Sequence, residues 1–267
     1  MKNQNLLSLL ILPGVLGLGG CFDSTANSDA KQKVTVAQQL SEPENEIVRV
    51  DKRRTLLEVA GLGEVHDSAS NIISTHFHPV LLNMEDQSIT DDQQVIAQYQ
   101  ESVKSHTLAQ QSLDATQNLV QLSDRDQLVL VYIVDDNDAQ QIKGKQLILP
   151  INGQGYFSML KGYLSLDLAS LSINRIRFYE QGETPSLGGN IMTSDEWLVQ
   201  FSGKEVLADG QAKFKIVAPN QNNDDRFTID GISGATNTSH SVENIVNYWM
   251  GKSGYQFAFS PLQERYL

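Results

Sequence analysis

The chain has 267 residues, 40% hydrophobic and 19% charged, with 7 Pro and 19 Gly, a composition that excludes collagen-like, coiled-coil and wholly disordered classes and leaves room for an enzyme-sized core. Its 20 Lys and Arg against 32 Asp and Glu give a net charge of -12, which repels phosphate backbones and argues against nucleic acid as a partner. A single cysteine leaves no intrachain disulfide and no cysteine-ligated zinc or iron-sulfur centre.

Residues 1–20 carry Lys2, an apolar run from Leu6 to Leu18, and Gly19 and Gly20 directly before Cys21. This order reads as a lipoprotein-type signal peptide that ends at Cys21, the lipidated N-terminus of the mature chain. Pro13 and several glycines interrupt the run, which is shorter than the ~20 consecutive apolar residues of a spanning helix. A short uncleaved N-terminal anchor is the alternative, and both place the body outside the cytoplasm. Residues 21–50 are rich in Ser, Asn, Asp, Gln and Lys without periodicity and read as a lipid-anchored flexible tether.

From Lys52 the pattern tightens: Leu56, Leu57, Val59 and Ala60 precede Gly61, a short apolar element with a glycine stop. No Pro or Gly falls between Pro79 and Gly144, and Asp91 to Leu122 is rich in Gln, Ala, Leu and Asp. Residues 51–125 are therefore expected to form a mainly helical N-terminal part. His76 and His78 alternate as on one strand face, but no third ligand accompanies them and no metal is assigned. Apolar and β-branched runs predict strands at Leu128 to Val134, Lys145 to Ile151, Ile173 to Glu180 and Ala212 to Ala218. The Asp135 to Asp138 cluster lacks the glycine and distal glutamate of a calcium loop and reads as a hairpin turn. Val242, Ile245, Val246 and Trp249 make one helical stripe, with Thr238, Ser239 and Ser241 as cap candidates and Gly251 as a left-handed stop. The expected class is α+β: a helical N-terminal layer on an antiparallel sheet, with residues 126–267 as one domain closed by a C-terminal helix.

Just before that helix lies Asp230-Gly231-Ile232-Ser233-Gly234-Ala235-Thr236. Small residues at Ser233, Gly234 and Ala235 allow close approach of another molecule, and the free N–H groups of the following helix favour a phosphate beside Thr236. Spacing alone fits equally an ordinary turn that feeds a helix.

This segment resembles the flavinylation motif of the FMN-binding domains in the C subunit of sodium-translocating NADH:quinone reductases and in the related Rnf complexes. The likeness extends in order through Asp51 to Leu62, Ile148 to Ile151 with Gly153 and Gly155, Phe178 to Pro185, and Tyr248 to Gly251. It implies FMN joined through its phosphate to Thr236 by a separate flavin transferase that uses FAD, with no catalytic residue in this chain. It also implies a cofactor site of Asp230, Ser233, Gly234, Ala235 and Thr238, the loop residues Glu183, Thr184, Leu187 and Gly188, and an aromatic wall of Tyr156 and Phe157. Thr238 is expected to offer the phosphate a hydroxyl, with Thr184 and Leu187 as polar and apolar contacts of the ring.

The implied protein is an electron-transfer subunit on the periplasmic face of a bacterial inner membrane. Its partners are the other membrane subunits, and it meets NADH and ubiquinone only indirectly. A freestanding flavinylated lipoprotein that feeds another reductase and a cofactor-free assembly module stay open as alternatives. Three departures stand out: Tyr156-Phe157 where the family has Leu-Trp, Ser186 in place of a glycine, and Asn237 in place of an apolar residue. At Ser186 a left-handed conformation is strained for a residue with a Cβ.

Overall fold

The computed structural model describes residues 46–64, 67–114, 118–135, 144–221 and 225–267. Cys21, the signal-like segment, most of the tether and the turn expected at Asp136 to Asp138 lie outside the described residues.

Strand β1 (Val48–Arg49) leads into helix α1 (Lys52–Ala60). Asp51 caps α1 by accepting the Arg53 amide, and Gly61 closes it at φ +78°, the left-handed stop expected of a glycine there. Helix α2 (Ala69–His76) is followed by β2 (Phe77–Asn83), β3 (Ile89–Thr90), helix α3 (Gln93–Lys104), β4 (Gln110–Ser112) and β5 (Asp124–Asp126). Four longer strands come next: β6 (Leu128–Val134), β7 (Gln146–Gln154), β8 (Met159–Asp167) and β9 (Ile173–Gln181). The chain ends with α4 (Asp195–Val199), short strands β10 (Leu207–Ala208), β11 (Gln211–Ala212), β12 (Lys215–Val217) and β13 (Thr228–Asp230), then α5 (Thr236–Met250) and α6 (Gln256–Tyr266).

Seven strands pair antiparallel in the order β1-β9-β8-β7-β6-β2-β3. Side chains alternate across a strand, so Leu147, Leu149 and Ile151 of β7 and Leu160, Leu164 and Leu166 of β8 share one core with Val242, Ile245, Val246 and Trp249 of α5. Ile148 and Tyr163 point the other way and join Leu56, Leu57, Val59 and Ala60 of α1 in a second core. Each fully buried Leu or Ile contributes about 1.5–3 kcal/mol, so the two faces together fix the register of the central strands. The α+β class and the C-terminal helix agree with the sequence reading.

Other expectations need correction. The helix expected over Asp91 to Leu122 stops at Lys104; the Ser105 and Thr107 hydroxyls take the Glu101 and Ser102 carbonyls, and His106 turns to φ +56°. Local hydroxyl bonds compete with the next helical turn there. Phe77 to Asn83 is a strand because Val80, Leu81 and Leu82 bury themselves against β6, a tertiary gain that no local propensity records. The single strand expected over Ala212 to Ala218 breaks at Phe214, whose N–H and carbonyl are both taken by the Asn247 side chain of α5. Gly251 is extended at φ -87°, ψ -173° and not left-handed. β8 and α6 were not anticipated. His76 closes α2 while His78 lies in β2 and bonds Asp135 at 3.1 Å, so the two imidazoles do not share a strand face.

Candidate functional site

β7 and β9 both run antiparallel to β8, so their C-terminal ends fall at the same end of the sheet. The turn after β7 (155–158) and the loop after β9 (182–189) therefore emerge side by side, and the start of α5 packs against them. Glu183 joins all three. It is 2% exposed and its carboxylate accepts the backbone N–H groups of Tyr156 (3.2 Å), Phe157 (3.0 Å) and Ser158 (3.1 Å). The Thr238 hydroxyl, in the first turn of α5, donates to the same carboxylate at 2.6 Å. A buried carboxylate is tolerable only when its lone pairs are satisfied, and these four donors do so. Ser158 Oγ in turn accepts the Gly182 amide at 2.6 Å, and Gln181 Oε1 accepts the Glu183 amide at 2.6 Å.

Two tight turns face each other above this strut. In Thr184-Pro185-Ser186-Leu187 the Leu187 amide donates to the Thr184 carbonyl at 3.1 Å, with Ser186 at φ +61°. Pro at the second position and a positive φ at the third mark a type II turn, so the left-handed backbone expected to strain Ser186 is present. In Ile232-Ser233-Gly234-Ala235 the Ala235 amide donates to the Ile232 carbonyl at 3.0 Å, with Gly234 at φ +76°. A Cβ on Gly234 would lie 3.0 Å from Leu187 Cδ2, and one on Gly188 would collide with Thr238 Oγ1. Glycine at both places is what lets the two loops close on one another.

Thr236 is the first residue of α5 and is exposed, as are Ser233, Gly234 and Asn237. Ala235 occupies the cap position without a side-chain bond to the helix, so the leading N–H groups face outward with the positive end of the helix behind them. Tyr156, Phe157 and Leu187 are 55%, 53% and 41% exposed, and the two rings meet edge to face at 4.4 Å. An exposed hydroxyl, a helix end without a side-chain cap and an open apolar wall fit a phosphate joined to a flat aromatic ring.

Several assigned residues do different work. The Thr238 hydroxyl proton is spent on Glu183. Glu183 lies beneath the surface and braces the loops. Asp230 ends β13, where its carboxylate accepts the Gln221 amide at 3.0 Å and its carbonyl accepts Trp197 Nε1 at 2.9 Å. Thr184 serves through its carbonyl, which takes the Leu187 and Gly189 amides. His240 is exposed, one turn beyond Thr236. Ser158, Trp197 and Gln200, whose side chains support this frame, had no signal in the sequence, and Gln181, whose side chain accepts the Glu183 amide, was marked only as part of the Phe178 to Pro185 likeness.

An FMN-binding domain family model matches residues 155–251, which begin at the aromatic turn and end at the close of α5. The fold and this match together define a flavin-binding class of protein. The C subunit of the Na(+)-translocating NADH-quinone reductase from Yersinia pestis is 32% identical over 217 residues, 77% of each chain. The Pasteurella multocida protein of the same name is 31% identical over 256 residues, 95% of this chain and 94% of its own. The chain belongs to this family, the C subunits of Na(+)-translocating NADH-quinone reductases. In fold it is similar to the crystal structure of Shewanella oneidensis NqrC, with a TM-score of 0.68 at 23% identity, covering 80% of this chain and 98% of that one. The structure of the same reductase component from Parabacteroides distasonis gives 0.53, also at 23% identity, covering 79% of this chain and 92% of that one.

Proposed function

We propose that this chain is the FMN-carrying electron-transfer subunit of a membrane-bound Na(+)-translocating NADH-quinone reductase, with the flavin joined by a phosphoester to Thr236. The observation that carries the reading is the exposed Thr236 at a helix end without a side-chain cap, beside the open wall of Tyr156, Phe157 and Leu187. A threonine hydroxyl is a weak nucleophile without a base, and attachment is the work of a flavin transferase. Thr236 Oγ loses its proton and gains the FMN-side phosphorus of FAD, and AMP leaves. The leading amides of α5 would hold the phosphate, and Ser233 and Gly234 would leave room for it.

When bound, the flavin supplies reversible electron transfer, and the protein supplies position and field. The Glu183–Thr238 bond holds the aromatic turn and the start of α5 in fixed relation, so the residues that would meet ring and phosphate share one strut. The other membrane subunits are the expected electron partners, NADH and ubiquinone are met only through them, and the body lies on the periplasmic face, held by Cys21 lipidation or by a short anchor. Thr236→Ala, coexpressed with the flavin transferase, is expected to remain folded and to lose in-gel flavin fluorescence and the added mass on the peptide that spans position 236. A variant that keeps both would refute the assignment.

A further inference from the structure

The strand that leads to Thr236 has little sheet to rest on. β13 pairs only with β12, in parallel and over three residues, apart from the seven-stranded sheet, and so short a two-stranded ladder is marginal by itself. The backbone from Asp230 to Ile232 is nevertheless bonded at each residue, and side chains supply much of the bonding. Trp197 Nε1 of α4 donates to the Asp230 carbonyl at 2.9 Å, and Gln200 Oε1, just beyond α4, accepts the Asp230 amide at 3.0 Å. The Gly231 amide donates to the Val217 carbonyl at 2.8 Å, and Ser239 Oγ of α5 accepts the Ile232 amide at 3.0 Å.

Past Ile232 this bonding stops. The amides of Ser233, Gly234 and Thr236 have no acceptor among the described residues, and all three residues are exposed, so the tip takes its direction from the base below it. The base is anchored in the core. Trp197 is 4% exposed and meets Phe201 edge to face at 5.0 Å, and Phe201 stacks on Phe214 at 5.4 Å. Packing therefore fixes the indole with its N–H aimed at one carbonyl. The same stretch of chain begins as the loop after β9 and reaches α4 through a single turn at Gly188–Ile191, so the loop that faces Gly234 and the clamp on Asp230 are continuous.

We propose that Trp197 and Gln200 are positioning residues for flavin attachment: their bonds to Asp230 hold residues 233–236 in the orientation in which the flavin transferase accepts the Thr236 hydroxyl. This deepens the flavin reading and rests on it. If the transferase takes only the clamped orientation, its apparent affinity for this chain scales with the fraction of molecules that are clamped, whereas turnover at saturation does not. Loss of the clamp then raises KM and leaves kcat unchanged, a split that a general loss of stability does not produce.

The test uses the full-length chain purified without flavin and then incubated with the transferase and FAD, with initial rates read by in-gel flavin fluorescence over a range of chain concentrations. Trp197→Phe with Gln200→Leu removes the indole N–H and the amide oxygen. This pair is expected to raise KM about tenfold at constant kcat, and to speed hydrogen exchange at the amides of Asp230 to Ile232, with circular dichroism unchanged. Gln200→Glu, which keeps an oxygen for the Asp230 amide, is expected to restore the KM lost in Gln200→Leu. A folded double variant with the wild-type KM overturns the proposal, as does a fall in kcat at constant KM. If the double variant unfolds, Gln200→Leu against Gln200→Glu decides alone. A wild-type chain that gains no flavin mass on the peptide spanning position 236 refutes the flavin reading itself, and is told apart from failure of the clamp because the wild type is then already unloaded.

Discussion

Ser186 sits in the left-handed region at φ +61°, where a Cβ costs roughly 1–2 kcal/mol. Ser186→Gly gives back part of that gain through the freer unfolded chain, so a net stabilisation of about 0.5–1 kcal/mol and a melting temperature up by about 2–3 °C are expected by calorimetry. An unchanged or lower melting temperature would show that the serine backbone is not strained there. Glu183 is the opposite case. Glu183→Gln turns an amide N–H₂ toward N–H and O–H donors and leaves part of a buried network unmatched, which costs about 3 kcal/mol. Urea unfolding measures that loss, and flavin loading is expected to fall because the aromatic turn and the start of α5 lose their common tie. Full loading at wild-type stability would remove Glu183 from its bracing role. Sequence alone flagged both residues through the resemblance, but only the packed loops show Glu183 buried and bound to Thr238.

The edge strand β1 is two residues long and is held by charge as much as by its ladder. Glu180 of β9 meets Arg49 and Lys161, both at 2.9 Å, which ties β1, β9 and β8 together. Burial pushes the Glu180 carboxyl up, but the hydrogen bonds and charges of Lys161 and Arg49 outweigh it, and the group lies below its ordinary value of 4.5. A folded-state pKa below the unfolded one means that the contribution is full above about 4.5 and is lost as the pH falls through the lower folded value. Arg49 and Lys161 are 65% and 38% exposed, and solvent screens them, so Glu180→Gln is expected to cost about 1 kcal/mol at pH 7. The gap between variant and wild type is expected to close as the pH drops toward 3 in urea titrations. A gap that stays constant would assign the cost to packing. At this scale α1 was legible because its cap, stripe and stop are adjacent in sequence, whereas β2 was not, since its burial depends on β6 about 50 residues away.

For the molecule as a whole, the dominant field is the net charge of -12. A reduced anionic flavin at Thr236 adds negative charge to an already negative body, which disfavours reduction, and salt screens the repulsion beyond a Debye length of about 10 Å at 0.1 M. On the proposed function, the midpoint potential is expected to rise on the order of 10 mV between low and high salt. Redox titration of the flavin-loaded chain at two ionic strengths reads this, and a potential indifferent to salt would mean that local dipoles at the start of α5 set the field. Among the described residues no helix is long and apolar enough to cross a membrane.

By itself the sequence determined the α+β class, strands β6, β7 and β9, the apolar stripe of α5 and the small-residue segment that leads into it. Each of these is written in near neighbours: a period of two, a period of 3.6, or small residues ahead of a helix. The tertiary structure alone decided that Phe77 to Asn83 is a strand, that Asn247 interrupts the one expected near Phe214, and that Thr238 spends its proton on Glu183. It alone set Trp197 and Gln200 against the backbone of Asp230. Those outcomes depend on which backbone groups and charges meet across the fold, and partners distant in the chain leave no local pattern to read.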